Sequence, residues 1–298
     1  MKKLSLLLLG IALVFLAACG GDDGDSEENG GAEQGSGALE ALQESGTVTV
    51  GFANEAPYAY EEDGELKGAA VDIATAVFAE LGVDNVESQL ADFAQLIPGV
   101  QAGQFDVVTA GMAIQPDRCE NALFGEPEMQ YGEGLVVAAG NPHGIESYTD
   151  IAENPDIAVV VMEGATEIGF LEDAGVDPSQ ITTAPDIPAT LSAVQAGRAD
   201  ATTGTEMTVR MAFDSFDSSD IELVESFEQP DVEGVPSYGA AAFSLENEEL
   251  RDAYNEVLAE LKEDGTVDEL LEANGFSAES NSVPVDGVTT EQACAGEV

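Results

Sequence analysis

The chain has 298 residues, of which 59 are Asp or Glu and only eight are Lys or Arg, so its formal net charge is −51 at pH 7. A surface this acidic repels nucleic acids and anionic lipid surfaces, which excludes both as partners. The 44% hydrophobic content still allows one large or two medium domains with real cores. Because self-repulsion is screened at high salt, where the Debye length is about 3 Å at 1 M, the composition favours a halophilic source.

The N-terminus has the pattern of an export signal. Lys2 and Lys3 precede the apolar stretch LSLLLLGIALVFLAA, which is short for a membrane span. The tetrapeptide LAAC that follows resembles a bacterial lipobox, in which the cysteine is lipidated and becomes the new N-terminus; here it is Cys19. Residues 1–19 are therefore predicted to be a lipoprotein signal peptide, and plain signal cleavage with Cys19 incidental is the alternative.

A Gly-rich acidic segment without apolar periodicity comes next, GGDDGDSEENGGAEQGSG. Its composition predicts a flexible linker over residues 20–38. A linker behind an acyl anchor suits a folded part held on the outer face of the cell membrane, in the periplasm or at the cell surface.

Two cysteines remain once Cys19 is assigned to lipid. Cys119 and Cys294 are an even number in an export compartment, where disulfides persist. We expect them to be bonded to each other, which would tie the C-terminal tail to the chain next to Arg118.

The folded part begins near Leu39 with short strands that alternate with helices. TVTVGF is rich in β-branched residues and predicts a strand, and Asp63-Gly64 predicts a hairpin turn. AAVDIATAVFAELG has apolar residues at helical spacing and ends at Gly82. FAQLIPGVQAG predicts a helix with Pro98 near its start or at a kink, and DVVTAGM predicts a buried strand.

The same pattern returns after Pro142, where DIAVVVMEG, ATEIGFLEDAG, DIPATLSAVQAG and RADATTGT predict a strand, two helices and a strand. Residues 100–111, VQAGQFDVVTAG, also match residues 194–205, VQAGRADATTGT. Alternating strands and helices predict an α/β protein with mostly parallel sheets, and the internal likeness predicts two lobes of similar architecture. A strand in YGAAAFSL and helices over residues 247–262 and 267–273 complete the chain.

Taken together, several of these segments resemble the type II periplasmic solute-binding proteins of the polar amino acid and opine group, which serve ABC importers. The resemblance covers about residues 47–275 and is carried by YAYEEDGELKGAAVDIATAVFAELG, LIPGVQAGQFDVVTAGMAIQPDRCENALFGEPE, GATEIGFL, LSAVQAGRADA and LKEDGTVDELLEANG. It implies a protein that captures a small zwitterionic solute and delivers it to ABC transporter permease subunits. It also implies a monomer without a cofactor or metal, touching the membrane only through its lipid anchor.

The family fold consists of two α/β lobes joined by two crossing strands, with the ligand in the cleft between the lobes. The resemblance places the crossings near residues 136–141 and 234–242. Lobe 1 is then expected to comprise residues 39–138 and 239–298, and lobe 2 residues 139–238.

The resemblance assigns Arg118, in GMAIQPDRC, to the ligand's carboxylate, because the family has an arginine at this position of a TPxR-like segment. A guanidinium presents a planar fork that matches a carboxylate and stays charged when desolvated. The alternative is a salt bridge to a nearby acid. Gly111 and Ala113 are expected to line the same site. Ala165 and Thr166, at a predicted helix start, would offer N–H groups to the same carboxylate, an ordinary helix cap being the alternative.

The sequence departs from the amino acid binders of the family at two positions. Thr205 stands where those proteins carry an aspartate for the α-ammonium group, and Gln115 stands where they carry a threonine ahead of the arginine. A plain α-amino acid would therefore lack its usual ammonium partner unless Glu206 takes that role.

VGFANEAPYAY and GMAIQPDRC together resemble, more narrowly, the ectoine and hydroxyectoine binders of this family. These ligands combine a carboxylate with a delocalised amidinium ring, which aromatic faces and one carboxylate can recognise. Glu55 and Tyr58 would supply the acid and one ring, and Phe93 a second ring. A third ring is expected shortly before Arg118, but that stretch reads Met112-Ala113-Ile114.

Two other functions stay open. Some relatives of this fold are dehydratases of cyclic acids, and Glu55 could act as a general acid in a desolvated cleft. Against an enzyme, the chain has one histidine, His143, no G-x-S-x-G pattern, and too few His and Cys residues for zinc. We therefore expect no catalytic activity. The second alternative is a polar amino acid binder that uses Glu206.

Overall fold

A computed structural model describes residues 37–216 and 218–298 of the chain. The predicted signal peptide, the predicted lipidation site Cys19 and most of the predicted linker lie outside the described residues. Among the helices of the described ranges, none combines the length and the apolar character that crossing a membrane requires.

The strands and helices alternate along most of the chain. The strands are β1 (Thr47–Phe52), β2 (Tyr60–Glu62), β3 (Glu65–Lys67), β4 (Asn85–Leu90), β5 (Val107–Ala113), β6 (Leu123–Phe124), β7 (Met129–Tyr131), β8 (Glu133–Ala138), β9 (Val159–Met162), β10 (Ile181–Ala184), β11 (Ala201–Thr205), β12 (Ile221–Leu223) and β13 (Ser237–Phe243). The helices are α1 (Ala38–Ser45), α2 (Ala69–Glu80), α3 (Leu96–Gln101), α4 (Pro116–Cys119), α5 (Tyr148–Glu153), α6 (Glu167–Asp173), α7 (Ile187–Gln195), α8 (Glu206–Ser215), α9 (Glu248–Glu263), α10 (Thr266–Ala273), α11 (Ala278–Asn281) and α12 (Thr290–Cys294).

Two mixed sheets form the centres of two lobes. In the first lobe the strand order is β4-β1-β5-β13-β6, with β7 also paired to β13; β1 is parallel to β4 and β5, and β13 is antiparallel to β5. In the second lobe the order is β10-β9-β11-β8-β12, with β9 parallel to its neighbours and β8 antiparallel to both of its own. The predicted two-lobed α/β fold is confirmed, but the prediction of mostly parallel sheets is wrong, because β13 and β8 run antiparallel to all of their neighbours.

Local sequence signals explain how these elements begin and end. Asp63 and Gly64 both have positive φ, 55° and 81°, and form the tight turn between β2 and β3. The two positive φ angles suit the right-handed twist of the paired strands. Gly82, with φ of 83°, stands just beyond α2, where a left-handed residue commonly ends a helix. The central strands β5 and β9 are buried along their whole length, which accounts for their continuous apolar runs.

The internal sequence match corresponds to the same local structure in both lobes. Asp106 follows α3 and precedes β5, and its carboxylate accepts a 2.8 Å hydrogen bond from the Thr49 backbone N–H. Asp200 follows α7 and precedes β11, and it accepts a bond of the same length from Ala158 N–H. Each aspartate fixes the start of one central strand against its neighbour, which is why the match includes that residue.

The first crossing between lobes lies earlier than the sequence predicted. β7 pairs with β13 in the first sheet, whereas all of β8 pairs with β11 and β12 in the second, so the chain crosses at Gly132 rather than near residues 136–141. A Cβ at Gly132 would overlap the side chain of Gln229. Residues 133–138 therefore belong to lobe 2 and not to lobe 1. The apolar run of β8 looks like a continuation of the first lobe in sequence, which is why the prediction misplaced the boundary. The chain returns to the first sheet at β13.

The predicted disulfide is confirmed. Cys119, at the end of α4, is bonded to Cys294, at the end of α12, with 5.8 Å between their Cα atoms. The C-terminal tail also reaches the second crossing segment, where the Gly234 N–H donates to the carbonyl oxygen of Val298 at 3.1 Å. The tail thus connects the helix that carries Arg118 with the segment that joins the lobes.

Candidate functional site

A narrow cavity of about 30 Å³ lies between the two lobes. The first lobe contributes Glu55, Tyr58, Phe93, Ala110, Gly111, Ala113, Arg118 and Tyr131, and the second contributes Met162, Ala165, Thr166, Glu167, Ile187, Thr203, Gly204 and Thr205. Of the ten residues predicted to bind ligand, all except Glu206 line this cavity. Residues distant in sequence are brought together because the cavity lies between the end of β5 in the first lobe and the ends of β9 and β11 in the second.

Arg118 is the buried cation of the cavity. It lies in the short helix α4, which begins at Pro116 directly after β5 and Gln115. Its Nη1 donates to the Ala113 carbonyl and its Nη2 donates to the Gly164 carbonyl of the second lobe, both at 2.9 Å. A guanidinium has five N–H donors, so these two bonds hold the group in place and leave others for a planar anion.

The surroundings of Arg118 keep it charged. Burial lowers the pKa of Arg118, and nearby groups, among them Glu167 and Glu55, raise it again. An arginine side chain keeps its proton even in buried sites. The Phe93 ring lies beside the guanidinium, with 5.3 Å between the Arg118 Cζ and the ring centre. The neighbouring residue Cys119 is anchored by the disulfide, which fixes the end of α4.

Aromatic rings form one wall of the cavity. Tyr58 is buried and packs edge-on against Tyr131 and Phe276, with 5.2 Å between ring centres in each pair. Gly111, with φ of 58°, lets the Tyr58 ring approach, because a Cβ there would overlap it. Tyr131 also donates its hydroxyl hydrogen to the Gly111 carbonyl at 2.6 Å. Sequence reasoning missed Tyr131, which reaches the site from β7, far along the chain from the other rings.

Glu55 is the acid that the first lobe contributes. The residue as a whole is only partly buried, but its Oε1 is fully buried and has no hydrogen-bond partner. The pKa of Glu55 is raised to about 8, because burial and, to a smaller extent, Glu167 outweigh the opposing effect of Arg118. A carboxyl group in this setting readily accepts hydrogen bonds from a cation that compensates its charge.

Two buried glutamates of the second lobe were not predicted as site residues. Glu167 is 3% exposed at the start of α6 and lines the cavity, and Glu133 is 1% exposed at the start of β8. Both carboxylate oxygens of Glu133 are buried without a hydrogen-bond partner. Burial, with Glu167 next in size, raises the pKa of Glu133 well above its ordinary value. An acid in the apolar run YGEGLVV was the sequence signal for Glu133, because buried strands rarely carry an unpaired charge.

Glu206 does not lie with the other predicted residues. It opens α8, its side chain is 51% exposed, and its carboxylate stands 3.8 Å from Arg210, one turn further along the same helix. Thr205, the residue before it, does line the cavity, and its hydroxyl donates to Thr208 Oγ1 at 3.0 Å. The chain turns into the helix between these two residues, so adjacent positions point to different surroundings.

Comparison with known proteins identifies relatives of the same fold. The model of the bacterial extracellular solute-binding proteins, family 3, matches residues 48–275. The probable amino-acid ABC transporter periplasmic-binding protein y4tE of Sinorhizobium fredii is 38% identical over 259 residues, which cover 85% of each chain.

Two solved structures extend the comparison. The crystal structure of EhuB in complex with hydroxyectoine superposes with a TM-score of 0.77 at 33% identity, covering 86% of this chain and 97% of that one. An ancestral arginine-binding protein bound to arginine superposes with a TM-score of 0.67 at 28% identity, covering 77% and 98%.

The family match spans most of the chain, both lobes included, and both y4tE and the ancestral arginine-binding protein are binding proteins by description. Proteins of this kind bind a small solute outside the cytoplasm and deliver it to the permease of an ABC transporter. The two lobes and the charged cavity between them agree with that role. This chain belongs to family 3 of the bacterial extracellular solute-binding proteins.

Proposed function

We propose that this protein captures ectoine or hydroxyectoine and delivers it to its ABC importer. The observation that carries the proposal is one narrow cavity that combines a buried arginine, a buried carboxylate and aromatic rings. Such a combination matches a small ring that bears a carboxylate and a delocalised cation. The likeness to EhuB in complex with hydroxyectoine supports the same choice.

Each group has a role in this proposal. The free N–H donors of Arg118 bind the solute's carboxylate, together with the backbone near Ala165 and Thr166 at the start of α6. Tyr58 and Phe93 pack against the flat cation, with cation–π contacts worth about 2 kcal/mol where water is excluded. Glu55 accepts hydrogen bonds from the ring N–H groups.

A third ring was expected shortly before Arg118, where the sequence reads Met112-Ala113-Ile114. The ring of Tyr131, which belongs to β7, lines the cavity as well. We propose that Tyr131 completes the aromatic wall around the cation.

A cationic polar amino acid is the second candidate. The arginine-bound ancestral protein and the two buried acids of the second lobe favour it. Glu206 does not support it, because that side chain faces Arg210 away from the cavity.

A melting-temperature panel in high salt tests these alternatives, with ectoine, hydroxyectoine, proline betaine, glutamine, glutamate and arginine. A solute at a hundred times its dissociation constant adds about 2.7 kcal/mol of stability. We expect a clear shift with ectoine or hydroxyectoine. A shift with an amino acid and none with either ectoine would refute the proposal and select the second candidate.

We further propose that the mature protein is a monomer anchored through lipid on Cys19. The lipobox-like LAAC and the acidic segment behind it support this. Mass spectrometry of the mature N-terminal peptide tests the anchor: an unmodified or absent Cys19 contradicts it.

A further inference from the structure

Two acids from opposite lobes face the same cavity. Glu55 belongs to the first lobe and Glu167 to the second, and both line the narrow space between them. Glu167 is close enough to Glu55 to raise the pKa of that carboxyl group. Closing the lobes therefore brings two like charges together in a poorly solvated space.

Glu133 adds to the negative charge on the second lobe's side. Its side chain is 1% exposed, lies against Glu167, and has both oxygens buried without a hydrogen-bond partner. Its backbone is held firmly, because Gln229 both accepts from the Glu133 N–H at 2.7 Å and donates to the Glu133 carbonyl at 2.8 Å. These two bonds fix the backbone from which the Glu133 side chain extends.

Arg118 offsets the charge of these acids only in part. It is the one cation among the cavity-lining residues, and two of its donors already bind backbone carbonyls. Its remaining donors are suited to an incoming carboxylate. A solute that occupies the cavity must therefore bring positive charge to the acids, or the acids must take up a proton.

We propose that Glu167, backed by Glu133, is the second lobe's half of a cation site whose first half is Glu55. A solute carrying both a carboxylate and a compact cation with several N–H donors bridges the two halves and allows the lobes to close. Solutes that carry only negative charge, such as dicarboxylates, leave the acids unpaired and are rejected. The proposal rests on the proposed function only in that a solute binds in this cavity.

The lobe equilibrium without solute tests this independently of the solute's identity. Dyes attached through unnatural amino acids at Glu80 and Glu172, exposed positions on the two lobes, report open and closed molecules by single-molecule energy transfer. The measurement is made at pH 8.5, above the pKa of about 8 of Glu55. Glu163→Gln is the matched control, because Glu163 is exposed in the same β9–α6 loop.

Removing one of the two like charges should favour closure. We expect Glu167→Gln to raise the closed-to-open ratio about tenfold, the change that corresponds to one pKa unit of charge interaction. Glu163→Gln should stay within twofold of the wild type. A closed-to-open ratio of Glu167→Gln within twofold of the wild type would overturn the proposal. A single conformation, with no exchange between open and closed molecules in either protein, would overturn it as well. Failure of every solute in the melting panel would instead count against the proposed function and leave this ratio unaffected.

Discussion

At the scale of single residues, the site depends on one cation held between the lobes. Arg118 donates to one carbonyl in each lobe, so its position depends on the cleft being closed. The short helix α4 holds the backbone of Arg118, and the Phe93 ring packs beside the guanidinium. In a chain with 59 acids, this buried guanidinium lets an anionic group enter the cavity.

Replacing Arg118 by alanine should weaken solute binding by about 2–5 kcal/mol, or about 30- to 5,000-fold, because a desolvated carboxylate loses its partner. Titration calorimetry on the folded variant measures the loss, with the solute that the melting panel selects. Arg198→Ala is the control, since Arg198 is an exposed arginine far from the cavity, and it should bind like the wild type. Binding by the Arg118 variant within threefold of the wild type would exclude the role.

Another buried acid, which does not line the cavity, makes folding pH-dependent. Glu128 accepts a 2.6 Å hydrogen bond from the Tyr254 hydroxyl, and burial raises its pKa to about 7, against the opposing effects of Tyr254 and Lys262. A raised pKa in the folded state means that the folded protein holds a proton that the unfolded chain has released. The corresponding stability is complete below pH 4.5 and is lost as the pH rises to about 7.

The Glu128→Gln variant should therefore lose less stability than the wild type between pH 4.5 and pH 7, by up to about 3 kcal/mol. Urea unfolding at each pH gives the difference, and subtracting the two proteins removes the effect of the other acids. Glu260→Gln, on the exposed face of α9, is the control and should follow the wild type. Parallel pH profiles for the wild type and the Glu128 variant would contradict this account.

The residues that sequence reasoning found and missed differ in a physical way. Arg118, Tyr58 and Phe93 lie in short segments that resemble the family, so the resemblance was enough to assign them to the site. Tyr131 and Glu133 flank the crossing at Gly132, and their position depends on which sheet each strand joins. Pairing of that kind is a long-range property, which local pattern does not determine.

At the scale of elements, the repeated unit of strand, helix and strand was predictable because its signals are local. The turn at Asp63-Gly64 and the helix end at Gly82 appear where the sequence indicated them. The first crossing between the lobes was not predictable in this way, because β7 and β8 form one extended run of sequence that changes from the first sheet to the second in the middle. Only the pairing of β8 with β11 and β12 shows the change.

The disulfide is the element-scale feature with the largest expected effect on stability. It closes a loop across 175 positions, for which chain entropy gives a ceiling of about 5 kcal/mol. The Cys119→Ser, Cys294→Ser double variant should show a lower urea midpoint, and it should also bind solute more weakly because α12 no longer holds α4. Unchanged midpoint and affinity would mean that the tail is not a structural support.

At the scale of the whole molecule, a strongly acidic chain encloses a cavity that we propose binds a zwitterion. The many carboxylates behind the net charge of −51 repel one another, and salt screens that repulsion over distances beyond the Debye length. Buried charges in the cleft are screened much less, so the site keeps its electrostatics in strong salt.

The melting temperature should therefore rise as KCl increases from 0.1 M to 2 M, by about 2–4 °C for each 1 kcal/mol of relieved repulsion. A sucrose series at matched water activity separates screening from general exclusion of solute. A melting temperature that does not change with KCl would contradict a stability limited by self-repulsion.

The most direct test of the proposed function is a crystal structure of the protein grown with hydroxyectoine. The account predicts the solute's carboxylate on Arg118, its ring between Tyr58 and Phe93, and its ring N–H groups directed at Glu55. Hydroxyectoine absent from the cavity at saturating concentration, or bound with its carboxylate away from Arg118, would contradict it.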